Sequence, residues 1–286
     1  MQLNSRVAII TGAGGGLGRS HALYLARHGA KVLVNDLDQA MADKVADEVK
    51  AAGGDAMGFG ASVTDEVRMA AMVEKAMGAW GRVDILINNA GILRDKSFAK
   101  MTMDDFRLVV DVHLMGSVIP TKAVWEIMRT QNYGRIVMTT SSTGLFGNFG
   151  QANYGAAKMA LVGFMQTLAI EGQKNNIHVN CLAPTAATQM TENLMPPEML
   201  SKLAPERVSP GLLLLVGENA PTRAILNAGA GHFARTNVTL TRGVRIGDAA
   251  DAGEQVIARW DEISDHKNET VPAGGFGQTQ QELAPQ

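Results

Sequence analysis

Cysteine is almost absent from this chain, and Cys181 is the single one in 286 residues. A lone cysteine excludes an internal disulfide, and no metal-ligand cluster accompanies it. The place of Cys181 in the apolar run 177–183 favours a buried structural residue. The six histidines are scattered without the spacing of metal ligands, so no metal site is predicted.

Charge of one sign and long apolar runs are also lacking. The formal net charge is -2, which gives no global basic field for nucleic acid or an anionic membrane. No apolar run approaches the roughly 18 residues of a membrane span. A strand is predicted already at residues 7–10, no signal peptide is predicted before it, and the last residues match no sorting signal. The expected location is therefore cytoplasmic.

Short apolar runs alternate with helical patterns along most of the chain. Hydrophobic residues make up 46% and charged residues 19%, which is typical of a globular protein with a sizeable core. The order β-α-β-α-β-α-β predicts an α/β fold, a doubly wound parallel sheet of the Rossmann type with helices on both faces. We expect one such domain over residues 1–231. A C-terminal extension, 232–286, is expected to be irregular, helical near 252–264 and mobile at its end.

A glycine-rich turn at residues 11–18 separates the first predicted strand from the first predicted helix. Strand, turn and helix N-terminus direct backbone N–H groups to one point, which suits a pyrophosphate. Asp36 ends the second predicted strand, where a carboxylate binds ribose hydroxyls and repels a 2′-phosphate, so NAD is predicted over NADP. The alternative is that Asp36 caps the helix starting near Asp38. The cofactor-binding residues predicted in the turn are Gly12, Gly15, Gly16, Leu17 and Gly18.

Tyr154 and Lys158 lie four residues apart on a helix predicted over 151–171, so they share one face. A nearby ammonium favours the phenolate and lowers the tyrosine pKa, which would make the pair a general acid/base. The spacing alone arises often by chance. The general acid/base interpretation is favoured here because several polar or glycine residues lie at the carboxyl ends of predicted strands, where ligands bind in such sheets. These residues are Gly12, Asp36, Ser62, Asn88 and Ser141.

Prolines interrupt the pattern over residues 184–210, and Met190, Met195 and Met199 supply flexible apolar surface. Two interpretations remain equal. The insertion at about 185–210 is either a substrate lid or a surface connection packed on the core.

These motifs together resemble the short-chain dehydrogenase/reductase family over about residues 5–230. The resemblance rests on Thr-Gly-x-x-x-Gly-x-Gly at 11–18, Asn-Asn-Ala-Gly at 88–91, Ser141 and Tyr-x-x-x-Lys at 154–158. It implies that Tyr154 is the general acid/base, that Lys158 lowers its pKa and holds the nicotinamide ribose, and that Ser141 hydrogen-bonds the reacting oxygen. The further cofactor contacts that it implies are Asn89, Ala90 and Gly91 at the nicotinamide riboside, Ser62 and Val63 at the adenine, and Thr188 at the carboxamide.

Two positions depart from the family pattern. Many members have asparagine where this chain has His113, and a packed helix histidine is the favoured interpretation. Thr185 follows Pro184 where a glycine is usual, which bears on the contacts expected around Thr188.

Longer matches resemble one subgroup, the (3R)-hydroxyacyl-CoA dehydrogenase domains of peroxisomal multifunctional enzymes of type 2. They lie at residues 34–37, 91–95, 147–154 and 169–172. The resemblance implies an NAD-dependent oxidoreductase acting on 3-hydroxyacyl-CoA thioesters, and a homodimer or homotetramer formed through the two long helices before strands five and six. The alternatives are a dehydrogenase of steroids or other bulky secondary alcohols, or a non-catalytic dinucleotide-binding protein. Candidate cations for CoA phosphates are Arg94, Lys96, Lys100 and Arg235.

Overall fold

The computed structural model describes residues 2–187 and 197–284. Eight strands form one sheet: β1 Val7–Ile10, β2 Lys31–Asp36, β3 Ala56–Gly60, β4 Ile85–Asn88, β5 Gly134–Thr139, β6 Ile177–Thr185, β7 Ile225–Gly229 and β8 His232–Thr236. Their spatial order is β3-β2-β1-β4-β5-β6-β7-β8, and all pairings from β3 to β7 are parallel. The strand order reverses between β1 and β4, which opens a crevice at their carboxyl ends. The predicted fold class is confirmed.

Within residues 1–235, helices connect the strands and cover both faces of the sheet. The helices are α1 Gly16–Arg27, α2 Gln39–Ala51, α3 Glu66–Trp80, α4 Met103–Val110, α5 Gly116–Gln131, α6 Ser142–Phe146, α7 Ala152–Gly172, α8 Pro197–Lys202, α9 Gly211–Val216, α10 Ala252–Ala258, α11 Trp260–Ile263 and α12 Phe276–Leu283. Short 3-10 turns lie at Phe98–Lys100, Gln173–Asn175 and Pro205–Arg207.

The core has two apolar layers, one on each face of the sheet. All four residues of β1 are buried, and they alternate between the layers. Ala8 and Ile10 belong to one layer, whereas Val7 and Ile9 belong to the other. This follows from the two-residue period of a strand, and a strand covered on both faces becomes a continuous apolar run.

Helix N-termini begin where the sequence supplies capping side chains. The Asp38 carboxylate accepts a hydrogen bond from the Ala40 N–H at α2, and Asp65 accepts one from the Arg68 N–H at α3. Asp38 is therefore the cap of α2. Asp36 is left for another role, which removes the capping alternative for that residue.

A π turn, Asp111–Met115, joins α4 to α5 and makes one continuous helix from Met103 to Gln131. This irregularity lies just before Gly116 and Pro120. The Ser117 hydroxyl donates to the His113 carbonyl at 2.7 Å. By length and composition this helix could also cross a membrane, a test that core helices of soluble proteins pass as well.

The C-terminal part contains more regular structure than the sequence predicted. An irregular polar segment was expected after residue 231, but β8 lies there. The helix α12 forms at Phe276–Leu283, within the end that the sequence predicted to be mobile. The helix expected near 252–264 corresponds to α10 and α11. By contacts the chain divides into two compact units, Met1–Arg235 and Thr236–Gln286.

Candidate active site

The glycine-rich turn joins the carboxyl end of β1 to α1, and two of its glycines leave no space for a side chain. Gly12 has a φ of +60°, and a Cβ there would lie 2.7 Å from Ala90 Cα. A Cβ on Gly18 would lie 2.7 Å from Ala13 Cα and would also meet the Gly12 carbonyl. The turn is therefore packed against the loop that follows β4.

The other side of the turn is open, as a pyrophosphate site requires. Gly15 is the N-cap of α1, makes no side-chain cap hydrogen bond, and a Cβ added there would meet nothing within 4 Å. The first turn of α1 carries no acidic residue. Free backbone N–H groups at the positive end of a helix dipole favour an anion, so the turn fits the pyrophosphate of a dinucleotide.

Hydrogen bonds join the loop after β4 to the glycine turn. The Thr11 hydroxyl accepts from the backbone N–H groups of Asn89 and Ala90 at 3.0 and 3.1 Å. The Asn89 side chain donates to the carbonyls of Thr11 and Gly12, each at 3.0 Å. The structure thus brings Asn89 and Ala90 beside the turn, whereas Gly91 lies against the His113 ring.

Asp36 lies at the end of β2 and faces the same turn. Its Oδ2 accepts a hydrogen bond from the Gly14 N–H at 2.8 Å. Arg19, the first basic residue after the turn, is engaged with Glu48 through an Nε–Oε2 contact of 2.7 Å. A phosphate next to Asp36 would therefore face its carboxylate, and Arg19 is already paired with Glu48.

Ser62 and Val63 follow β3 at the same edge of the sheet. Ser62 Oγ lies 2.8 Å from Thr64 Oγ1, and Val63 is buried. A Cβ added at Gly116 would lie 2.5 Å from Val63 Cγ2, so this loop packs against the start of α5. Contact with adenine stays a prediction for both residues.

Ser141 is the residue between β5 and α6 and is almost fully buried. Its Oγ accepts from the Thr143 N–H at 3.2 Å, which makes it the N-cap of α6. The Ser141 side chain also lies beside the Tyr154 phenol and lowers its pKa. The structure therefore brings the two predicted catalytic groups together.

Tyr154 and Lys158 lie on one face of α7, which the sequence spacing predicted. Lys158 Nζ is 5.5 Å from the centroid of the Tyr154 ring. Lys158 is buried, and its Nζ donates to the Thr139 carbonyl at 2.5 Å. The Thr140 hydroxyl donates to the Lys158 carbonyl at 2.7 Å, so the end of β5 fixes this turn of the helix.

Burial controls the protonation of this pair. It raises the pKa of Tyr154 above the ordinary value, with the Ser141 hydrogen bond opposing the shift and the Asp95 carboxylate adding to it. Burial lowers the pKa of Lys158 to about 7. Burial is the largest effect on the Tyr154 phenol in this arrangement, and the Lys158 ammonium donates to the Thr139 carbonyl; the lowering of the Tyr154 pKa by Lys158 stays a prediction.

His113 lies in the π turn and packs edge-on against Tyr154, with ring centroids 5.1 Å apart and an interplanar angle of 87°. Its Nε2 lies 2.8 Å from the Ile92 carbonyl oxygen and 3.1 Å from the Ile92 nitrogen. Burial, with the Lys158 charge, lowers the His113 pKa to about 3, so the ring is neutral at neutral pH. Sequence reasoning favoured a packed helix histidine, and the structure shows His113 buried and packed against the proposed acid/base.

Three residues that the sequence analysis singled out, Thr188, Met190 and Met195, fall outside the described residues. Of the cations proposed for CoA, Arg94 and Lys96 both pair with Asp105, at 4.0 and 3.4 Å. The Thr139 carbonyl was missed, since a backbone acceptor leaves no signal in the sequence.

A family model described as short chain dehydrogenase matches residues 6–198. Peroxisomal multifunctional enzyme A of Dictyostelium discoideum is 45% identical over 282 residues, which are 95% of this chain and 63% of that protein. The chain therefore spans under two thirds of that relative.

Two solved structures extend the comparison. Full-length peroxisomal multifunctional enzyme type 2 from Drosophila melanogaster matches with a TM-score of 0.84 and 36% identity, covering 99% of this chain and 49% of that one. A 7α-hydroxysteroid dehydrogenase complexed with NADH and 7-oxo glycochenodeoxycholic acid matches with a TM-score of 0.74 and 29% identity, covering 80% of this chain and 95% of that one. The chain belongs to the short-chain dehydrogenase/reductase family of oxidoreductases, which use nicotinamide dinucleotide cofactors.

Proposed function

We propose that this protein is an NAD-dependent oxidoreductase that interconverts (3R)-3-hydroxyacyl-CoA and 3-ketoacyl-CoA thioesters. The observation that carries the reaction type is the convergence of Ser141, Tyr154 and Lys158 at the carboxyl end of β5, next to a dinucleotide-type glycine turn. The substrate class is supported by the similarity to peroxisomal multifunctional enzymes over nearly the whole of this chain.

The residues divide the chemistry among themselves. The bound cofactor supplies or accepts the hydride. Tyr154 donates a proton to the ketone oxygen in reduction and accepts it from the hydroxyl in oxidation. The Ser141 hydroxyl donates a hydrogen bond to the same oxygen and stabilises the charge that develops there. Lys158 orients the nicotinamide ribose, and its position one turn from Tyr154 brings a cation beside the phenol when the lysine is protonated.

The preference for NAD rests on Asp36. Its carboxylate is fixed at the turn by the Gly14 N–H, where it would accept hydrogen bonds from ribose hydroxyls. A 2′-phosphate would meet this charge at close range, and Arg19 is already paired with Glu48. Discrimination against NADP follows from repulsion of like charges.

A hydroxysteroid or other bulky secondary alcohol is the second candidate substrate. It is favoured by the structural match to a hydroxysteroid dehydrogenase, which covers less of this chain at lower identity. The same three catalytic residues would serve both substrates, since the reacting group is a secondary alcohol in each case.

A panel of ketones tests the proposal. Purified protein is given NADH with acetoacetyl-CoA, a long-chain 3-ketoacyl-CoA, a steroid-side-chain CoA thioester or a free 17-ketosteroid, and nicotinamide absorbance is followed. We expect oxidation of NADH with the CoA thioesters and much slower oxidation of NADPH. Turnover of the free ketosteroid alone would make the second candidate the function.

We further infer that the protein is a homodimer or homotetramer. The helix from Met103 to Gln131 and the helix α7 expose large apolar side chains, which favours their burial between copies of the chain. The exposed residues are Met103, Leu108, Met115, Met159 and Ile170. A monomer in light scattering at micromolar concentration would contradict this inference.

A further inference from the structure

The loop after β4 is fastened to the turn that precedes Tyr154. This loop contains no residue of the Ser-Tyr-Lys set, yet it reaches the first turn of α7 through both backbone and side chains. Three hydrogen bonds make the connection: Lys96 N–H to the Gly150 carbonyl at 2.9 Å, Gln151 Nε2 to Asp95 Oδ2 at 2.7 Å, and Asn153 Nδ2 to the Arg94 carbonyl at 3.1 Å.

The Gln151 amide is the centre of this connection. Gln151 is buried, and its Oε1 accepts from Thr143 Oγ1 at 2.9 Å and from Asn148 Nδ2 at 3.0 Å. Its Nε2 donates to the Asp95 carboxylate. Thr143 in turn holds Ser141 through its backbone N–H. One amide therefore ties the segment of Ser141 to the loop that carries Asp95.

Asp95 also acts on Tyr154 through its charge. After burial, the Asp95 carboxylate is the second cause that raises the Tyr154 pKa, and the Ser141 hydrogen bond opposes both. The other titratable groups beside the phenol are Lys158 on α7 and the neutral His113 on the π turn. The two cations of the same loop, Arg94 and Lys96, share one carboxylate, that of Asp105.

We propose that Gln151 and Asp95 are a positioning pair for the reaction. The Gln151 amide fixes Ser141 and Tyr154 relative to each other, and the Asp95 carboxylate sets the electrostatic field at the phenol. The proposal rests on the proposed role of Tyr154 as general acid/base. Both residues act through Ser141 and Tyr154 rather than on substrate or cofactor.

The charge is tested with Asp95→Asn, which keeps an oxygen acceptor for Gln151 Nε2 and removes only the negative charge. Loss of a nearby anion favours the phenolate, so we expect the apparent pKa of Tyr154 to fall by about half a unit. The acid limb of alcohol oxidation should move to lower pH by the same amount. Because Asp95 is solvent-exposed, the shift should shrink as salt is added.

A direct titration makes the result independent of turnover. The chain has three tyrosines, so the tyrosinate absorbance of each protein minus that of its Tyr154→Phe partner isolates Tyr154. Asp104→Asn is the matched control, since Asp104 is 97% exposed and pairs with Arg107. The control should leave both the titration and the acid limb unchanged.

The positioning role of Gln151 is tested by exchanging the donor and the acceptor of its hydrogen bond with Asp95. Gln151→Glu places two carboxylates together, and we expect kcat to fall by about 10- to 100-fold as Ser141 and Tyr154 lose their alignment. Adding Asp95→Asn restores a donor opposite a carboxylate. The kcat of the double variant should therefore be at least fivefold higher than that of Gln151→Glu alone. The dissociation constant of NADH should stay within twofold throughout, and thermal unfolding checks that each variant is folded.

The test of the Gln151 and Asp95 pair can fail or succeed independently of the test of the proposed substrate. An unchanged Tyr154 titration in Asp95→Asn, or a double variant no better than Gln151→Glu, overturns the proposal. The absorbance titration needs no substrate, so it decides the charge even if the wild-type protein turns over no CoA thioester. In that case the proposed function fails, and the kinetic arm is run with whichever ketone of the panel is reduced.

Discussion

At the scale of single residues, the site depends on one proton-transferring group whose pKa is set by several neighbours. Burial raises the pKa of Tyr154, and Ser141 lowers it. The Tyr-x-x-x-Lys spacing predicted which two side chains share a face of the helix. It could not predict the direction of the pKa shift, because desolvation depends on what the tertiary structure packs around the phenol.

Removal of the phenol oxygen should abolish turnover without emptying the cofactor site. In Tyr154→Phe we expect kcat to fall by about 10²- to 10⁴-fold, the typical contribution of a positioned general acid/base. NADH binding, followed by fluorescence titration, should change little because the glycine turn is untouched. Turnover close to that of the wild type would rule out the assigned role.

The charge of Asp36 should determine the choice between the two nicotinamide cofactors. Asp36→Asn keeps an acceptor for the Gly14 N–H and removes the repulsion of a 2′-phosphate. We expect the ratio of kcat/KM for NADH over NADPH to fall by about tenfold, which corresponds to roughly 1.4 kcal/mol. Asp47→Asn, a change at an exposed carboxylate on α2, is the control and should leave the ratio unaltered.

At the scale of elements, the helices and strands marked by a regular apolar period, or bounded by glycine or proline, were predicted well. The strand-turn-helix unit around Gly12 and Gly18 was predicted within one residue, because apolar runs and glycines fix it locally. The strand β8 was missed, since every residue from His232 to Arg235 is exposed and no apolar face marks it. The π turn before Gly116 was also missed, because the pattern of side chains does not show which backbone hydrogen bonds a helix makes.

The close packing of the glycine turn gives a matched pair of substitutions. Gly18→Ala would drive a methyl group against Ala13 and the Gly12 carbonyl, so we expect NADH affinity to fall by at least about tenfold through displacement of the turn. Gly78→Ala lies in α3, where an added Cβ meets nothing within 4 Å, and should stabilise the fold by about 0.5–1 kcal/mol. Equal NADH affinity in Gly18→Ala and the wild type would contradict this account of the turn.

At the scale of the whole molecule, buried polar groups tie distant parts of the chain together. Asp84 is fully buried and binds Arg6, Arg82 and the Val7 N–H at the amino ends of the strands. This edge lies opposite the catalytic edge, so its ionic groups stabilise the sheet and leave the other edge for chemistry. Sequence alone gave no pairing between Arg6 and Asp84, because the two residues are 78 positions apart in the chain.

Two buried histidines should make the folded state sensitive to acid. Burial lowers the pKa of His21 to about 3, and that of His113 likewise. Between the unfolded value near 6.5 and the folded value, only the unfolded chain binds these protons, so the unfolding free energy falls as pH falls. We expect a loss of about 1.4 kcal/mol per pH unit for each residue below pH 6, measured from urea midpoints.

Substitution of one histidine at a time checks the origin of this acid sensitivity. His21→Leu should reduce the slope by about one proton, whatever its effect on stability at neutral pH. His266→Gln is the control, since the His266 side chain is 85% exposed. An equal slope in wild type and His21→Leu would exclude His21 as a source.

The rates of oxidation of two enantiomers test the proposed substrate, a (3R)-3-hydroxyacyl-CoA thioester. We would measure kcat/KM with NAD⁺ for (3R)- and (3S)-3-hydroxyacyl-CoA of one chain length, with a free hydroxysteroid in parallel. We expect kcat/KM for the 3R thioester to be at least about 100-fold above that of the other two compounds, since a misplaced reacting atom costs that much. Equal rates for the two enantiomers, or a preference for the free steroid, would contradict it.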